Sequence, residues 1–241
     1  MKEAEASAEP AERRVDSIAA TLRAQILSGK YGPGERLPSE RELSDRLGVN
    51  RASAREALKQ LEQLGMIEIR RGGGARVVPL ERAGLGVLQH VLNAASPSRE
   101  LVSQWLDVQE LVISGGARFA VERGTPEEFA EAKRLMRKLC EPSTPIDETI
   151  RLIDRLTDLI ARAGRNVVLR MVRDGLTATA QSRGEARKRL LWSRKTLLAT
   201  VRVVERALDE RDPDAAEASV RKLLRSNRNL VLDVICGPQA S

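Results

Sequence analysis

The chain has 241 residues, enough for one or two domains, and 41% of them are apolar, enough to bury a core. A net charge of +7 and a pI near 9.9 favour anionic partners such as nucleic acid, anionic lipid or phosphorylated ligands, while 2% aromatics argue against stacking on exposed bases. No apolar run approaches the roughly 18–20 residues of a membrane span, the N-terminus has no apolar signal region, and Cys140 and Cys236 form no C-x-x-C pair; these features exclude a membrane helix, a zinc knuckle and a disulfide framework, and a cytoplasmic protein with reduced thiols is expected.

Residues 1–12 are rich in Ala and Glu and read as a disordered tail. From Val15 to Leu27, apolar residues at Val15, Ile18, Leu22 and Ile26 have helical spacing. Gly29 and the stretch YGPGERLP stop that helix. Ser39-Glu40-Arg41-Glu42 reads as a capping box, with Ser39 as N-cap and Glu42 reaching back. The short helix it opens carries Leu43 and Leu47 and ends at Gly48. Asn50 caps the next helix, which runs to about Leu64 and is stopped by Gly65. Met66–Arg70 and Ala75–Val78 are short strand patterns joined through Arg71-Gly72-Gly73-Gly74, a hairpin. Pro79 opens a linker, and from Ala83 onward every long segment is helical in pattern. Thr125-Pro126-Glu127-Glu128 and Asp212-Pro213 mark two of the helix starts. The chain is thus expected to be mainly α: a tail (1–12), a winged helix-turn-helix (13–79) and a C-terminal all-helical bundle (80–241).

Two helices joined by Gly48-Val49-Asn50 form a helix-turn-helix, whose second helix enters the DNA major groove. Ala54, Ala57, Leu58, Leu61 and Leu64 fall on one side of that helix, to pack on Leu43, Leu47 and the first helix. Arg51, Arg55 and Lys59 recur on the free side. The planar fork of arginine matches both acceptors of guanine and discriminates by about 1–3 kcal/mol. Asn50 and Ser53, at the helix start, suit phosphate. In the hairpin, Arg70, Arg71 and Arg76 flank three glycines, so the backbone can approach the minor groove while the arginines neutralise phosphate. No Ser/His/Asp set, phosphate loop or H-E-x-x-H motif occurs, and no enzyme activity is expected.

The run from Ile26 to Val77 resembles the DNA-binding domain of GntR-family bacterial transcription regulators. The family's G-x-x-x-P-G-x-x-L-P-[ST]-E-R-x-L pattern corresponds to Gly29–Leu43, its R-x-x-x-R-x-A-L helix to Arg51–Leu58, and its Gly-rich wing to Arg71–Gly74. Carried over by position, the resemblance implies DNA contacts at Arg41, Asn50, Arg51, Ser53, Arg55, Arg71 and Gly72. It also implies a homodimer on a short palindromic operator of double-stranded DNA. Gly84–Val112 and the later stretches IDRLTDLIARAGRNVVLRMV and VVERALDERDPDAAEASVRKLL resemble the FadR branch, whose helical domain is called FCD.

Many FCD domains hold a divalent metal through one Asp and three His. Here Ile153 stands at the Asp position, with Asp154 one place off, and Thr157, Val201 and Leu223 stand at the His positions. The single histidine, His90, lies in the linker. Apolar side chains cannot ligate a metal, so neither a metal site nor a cofactor is expected. Gln109 occupies the place of an arginine that holds carboxylate effectors in many members. Gln109, Thr157 and Asn227 are the expected effector-pocket residues, and the apolar replacements suit a lipid-like or other apolar small molecule. RGEARKRLLWSRK, Arg183–Lys195, either attracts an anionic effector or is a solvated helix face. The resemblance implies a DNA-binding transcription regulator whose affinity an effector modulates. The alternative is a regulator whose helical domain only dimerises and binds no effector.

Overall fold

A computed structural model describes residues 11–70, 72–94, 97–181 and 194–238. The chain forms two compact units, one ending at Ala94 and the other starting at Ala95.

In the first unit, α1 (Ala11–Leu27) begins two residues inside the stretch expected as tail, and residues 1–10 lie outside the described residues. Helix α2 (Glu40–Leu47) starts at the expected capping box: Ser39 Oγ accepts from the Glu42 N–H at 3.3 Å, and Glu42 Oε2 accepts from the Ser39 N–H at 2.7 Å. Gly48, at φ +63°, ends it in the left-handed region that glycine tolerates. Ser44 Oγ donates to the Val49 carbonyl at 2.5 Å and fixes the turn. Helix α3 (Arg51–Gln63) is capped by Asn50, whose Oδ1 accepts from the Ser53 N–H at 2.7 Å. Strands β1 (Ile67–Arg70) and β2 (Gly74–Val77) pair antiparallel, from Ile67 with Val77 to Arg70 with Gly74.

Burial explains the assembly. Ile18 and Leu22 of α1, Leu43 of α2, Ala54, Ala57, Leu58 and Leu61 of α3, and Ile67, Ala75 and Val77 of the hairpin form one core. Leu47 departs from its expected packing role and is 40% exposed. The stretch around Gly34–Leu37, expected only to stop α1, also runs beside β2. The Gly34 and Leu37 N–H groups donate to the Val77 and Ala75 carbonyls at 2.8 and 2.9 Å, and the Val77 N–H donates to the Glu35 carbonyl at 3.0 Å. Beyond Pro79, two short 3₁₀ turns lead into α4 (Leu88–Leu92). Val87 joins the same core, and Ala83 and Val91 pack against it, so the compact unit extends past residue 79. His90 sits within this segment, 3.2 Å from Arg23 Nη1. Burial, and then the Arg23 charge, lower its pKa.

The second unit contains α5 (Arg99–Arg123), α6 (Pro126–Leu139), α7 (Ile146–Ala163), α8 (Val167–Gln181), α9 (Arg194–Glu210), α10 (Pro213–Ser226) and α11 (Arg228–Cys236). Helix α5 packs against α7, α8, α10 and α11, while α6 packs on α7 and α9. Val121, Phe129, Leu135, Leu152, Leu159, Leu208 and Ala216 are among the buried core residues. The expected starts are present. Thr125 and Glu128 form a capping box on α6, with Pro126 in its first turn, and Asp212 Oδ1 accepts from the Ala215 N–H at 3.0 Å ahead of Pro213. Arg118 ties α5 to α10 through Asp214 and Glu217, at 2.5 and 3.1 Å. Cys140 and Cys236 form no disulfide. Most of the basic stretch Arg183–Lys195 lies outside the described residues.

Candidate nucleic-acid interface and pocket

The sequence pattern of α3 becomes two faces. Ala54, Ala57 and Leu61 are fully covered, while Arg51, Arg55 and Lys59 are exposed. The three cations differ in their surroundings. Arg55 Nε and Nη2 donate to the two carboxylate oxygens of Glu40 at 2.8 and 2.9 Å, a bidentate pair between α3 and the first residue of α2. The Arg55 hydrogen bond holds the Glu40 carboxyl below its ordinary value, and the same bond raises Arg55. Lys59 Nζ lies 2.9 Å from Glu56. Arg51 is the first residue of α3 and is exposed.

The other expected contacts fall as follows. Arg41 is exposed in the first turn of α2. Asn50 caps α3 with its Oδ1 and is exposed. Ser53 is 7% exposed, and its backbone N–H donates to the Asn50 cap. Gly72 lies in the exposed hairpin turn at φ +72°. Arg71 lies outside the described residues. Two wing arginines are more constrained than their sequence context implies. Arg70 Nη2 donates to Glu68 at 2.8 Å, which raises its pKa, and Arg76 Nη1 donates to the Gly34 carbonyl at 2.8 Å. A Cβ on Gly74 would come within 2.7 Å of Arg36 Nε, so the Arg36 side chain lies against the turn end of the hairpin. Sequence reasoning missed Glu40 and Arg36 because both act on residues many positions away. The only signal for Glu40 was a carboxylate within a basic motif.

In the second unit, a cavity of about 420 Å³ is bordered by Gln109 on α5, Thr157 on α7 and Asn227 at the end of α10, the three expected pocket positions. Asn227 is 8% exposed. Thr157 Oγ1 donates to the Ile153 and Asp154 carbonyls of its own helix, at 2.9 and 3.0 Å. Val201 and Leu223, two of the positions matched to metal-binding histidines, border a second cavity of about 150 Å³. Its walls are almost entirely carbon, and the one hydroxyl at a matched position, Thr157, is already committed. This donor set does not fit a divalent metal, and no cluster of His, Cys, Asp and Glu that could hold one occurs among the described residues. No helix of the described residues is long and apolar enough to cross a membrane.

Comparison with known proteins agrees with both halves. The family model "Bacterial regulatory proteins, gntR family" matches residues 14–77, and the FCD domain model matches residues 104–226. The HTH-type transcriptional regulator Mce2R of Mycobacterium tuberculosis is 31% identical over 179 residues, 68% of this chain and 75% of that protein. The Uxu operon transcriptional regulator of Escherichia coli is 35% identical over 134 residues, covering 54% of this chain and 49% of that one. The chain spans about half the length of several curated relatives it matches. A solved structure titled for Lar, which controls expression of the Listeria monocytogenes agr system, superposes with a TM-score of 0.55 at 14% identity, over 89% of this chain and 94% of that chain, a likeness of fold. The chain belongs to the GntR family of bacterial transcription regulators, with that family's helix-turn-helix domain and an FCD domain.

Proposed function

We propose that this chain is a cytoplasmic, homodimeric regulator that reads a palindromic operator, and that a small molecule held in the helical unit modulates its DNA affinity. The observation that carries the reading is the exposed arginine face of α3. Arg51 and Arg55 stand on the solvent side of a helix whose other side is fixed in the core. Arg55 is presented with its fork oriented by Glu40. Arg41, Asn50 and Gly72, with Ser53 and Arg71, are the proposed supporting contacts, mostly to backbone and phosphate. Ser53 contributes least among those described because it is buried.

An exposed apolar face supports the dimer. Val108 and Leu111 on α5 and Val167, Val168 and Met171 on α8 are 44–69% exposed on two helices that pack together. Large apolar side chains exposed on packed helices are candidates for contact with a second copy. The two cavities favour an effector over a helical unit that only dimerises, since a well-packed bundle core leaves few voids. Coupling of about 1–3 kcal/mol between effector and operator would change DNA affinity roughly 5–150-fold. The family is one of regulators rather than enzymes, and no catalytic role is assigned.

The test is operator selection from randomised duplexes, followed by titration of the selected sequence across a salt series. The expected result is an inverted repeat bound tightly by the wild type. An Arg51→Ala, Arg55→Ala variant that binds that repeat as tightly as the wild type would sink the reading.

A further inference from the structure

The segment ahead of α2 adds an edge to the wing. Arg36 pairs antiparallel with Arg76, and the N–H groups of Gly34, Leu37 and Val77 bond the two stretches side by side. Residues directly opposite in such a pairing put their side chains on one face of the sheet. Arg36, Arg76 and, across the hairpin, Glu68 therefore share the face turned away from buried Ala75 and Val77. Arg36 and Arg76 are both exposed. Like charges placed directly opposite destabilise a sheet, so this pair costs stability that an anion lying over it would restore.

The guanidiniums of this face are used differently. Arg76 Nη1 donates to the Gly34 carbonyl and Arg70 Nη2 to Glu68, each at 2.8 Å. Arg36 has no guanidinium hydrogen bond or ion pair among the described residues. The acids near it are engaged elsewhere: Glu35 Oε2 accepts from the Gly32 N–H at 2.8 Å, and Glu42 Oε2 accepts from the Ser39 N–H at 2.7 Å. The Arg36 side chain is nonetheless held in place. From its position opposite Arg76 it runs toward the turn and lies over Gly74, two residues nearer the tip. A Cβ on Gly74 would meet its Nε at 2.7 Å, its Nη2 at 3.1 Å and its Cζ at 3.3 Å. Only glycine leaves that seat open. The last glycine of the turn thus does something other than let backbone approach a groove: it seats a guanidinium whose donors are unspent. An arginine so held loses less freedom on binding than an unrestrained one, and its planar fork suits phosphate oxygens.

We propose that Arg36 is an additional DNA contact of the wing, seated by Gly74 and directed at a backbone phosphate beside the bases that α3 reads. This rests on the DNA-binding reading above and extends it to a residue ahead of Arg41, the first of the contacts carried over by resemblance. Arg36 contributes affinity and salt dependence rather than sequence choice, because a phosphate carries no base identity. Gly74 is a positioning residue that acts through Arg36.

The experiment titrates the full-length protein with the selected operator and with an unrelated duplex of the same length, from about 50 to about 200 mM salt. Each phosphate neutralised contributes about 0.9 to the slope of log affinity against log salt. For Arg36→Ala the slope should become shallower by about that amount per bound head, on both duplexes, so the wild-type advantage narrows roughly threefold per head across the series. Arg36→Lys should recover most of the slope. Single-base changes in the operator should weaken Arg36→Ala and the wild type by the same factor. Arg36→Ala should melt no lower than the wild type, since it relieves the opposed charges. Gly74→Ala should reproduce the slope of Arg36→Ala and add nothing to it in the double variant, a non-additivity that general weakening of the wing would not produce. Additive slopes would overturn the seating by Gly74. A wild-type slope in Arg36→Ala on both duplexes, or a loss confined to particular operator bases, would overturn the phosphate contact. Either result would leave the operator reading intact, because that reading stands or falls on the Arg51→Ala, Arg55→Ala variant.

Discussion

Arg55 is the residue whose surroundings say most. Its guanidinium gives two of its donors to Glu40, leaving the outer edge of the fork for a base. Removing the partner should therefore cost more specificity than stability. For Glu40→Gln we expect a loss of no more than about 1 kcal/mol in thermal unfolding, because the pair is largely exposed. Discrimination at the base read by Arg55 should relax severalfold, measured by competition with operators changed at that position. The pH dependence follows from the lowered Glu40 pKa. A depressed folded value means that the pair's stabilisation is present above the ordinary value of 4.5 and is lost as pH falls through the lower folded value. The wild-type advantage over Glu40→Gln should hold from pH 7 to about pH 5 and shrink below it, as read by denaturant melts at each pH. An advantage that instead grew on acidification would show that the pair is not the source.

Two glycines separate conformational from steric demands at the level of elements. Gly72 in the wing has φ +72° with open space where a Cβ would go, so Gly72→Ala should cost only the left-handed penalty of about 1 kcal/mol. Gly124, between α5 and α6, has an ordinary φ, yet a Cβ there would lie 2.4 Å from the Ala120 carbonyl oxygen and 2.5 Å from a Phe129 ring carbon. Gly124→Ala should therefore cost more, about 1–3 kcal/mol, and a urea melt of the two variants ranks them. A reversed order would contradict the close packing at that corner. Elements of this kind were legible in the sequence where their signals are local. Ser39 with Glu42, Asn50, Thr125 with Glu128, and Asp212 with Pro213 all act within a few residues of themselves. The α3 stripe was legible because helical periodicity sorts buried from exposed positions. The GPGERLP segment read only as a helix stop, since its pairing with β2 depends on residues some forty positions later. The same limit hid the engagement of Arg76 with the Gly34 carbonyl and the burial of Ser53. Gln109, Thr157 and Asn227 border one cavity, an arrangement that came from resemblance and could not be read from periodicity alone.

At the scale of the whole molecule, exposed apolar residues on α5 and α8 set the expected assembly. Val168→Glu with Met171→Glu places two charges on that face, where the residues are 66% and 69% exposed. Folding should be nearly unaffected. Sedimentation should shift from dimer to monomer, and operator affinity should fall by at least tenfold as the two half-sites lose their linkage. A variant that stays dimeric would move the interface elsewhere. The positions matched to metal ligands have a broader consequence. At the positions that the resemblance matches to metal-binding histidines, this core places Val201 and Leu223 against a carbon-lined space, and Thr157 turns its hydroxyl to its own backbone. Under the function proposed above, operator affinity of the purified protein should accordingly be the same with and without a chelator, and a chelator that weakens it would show that a metal takes part.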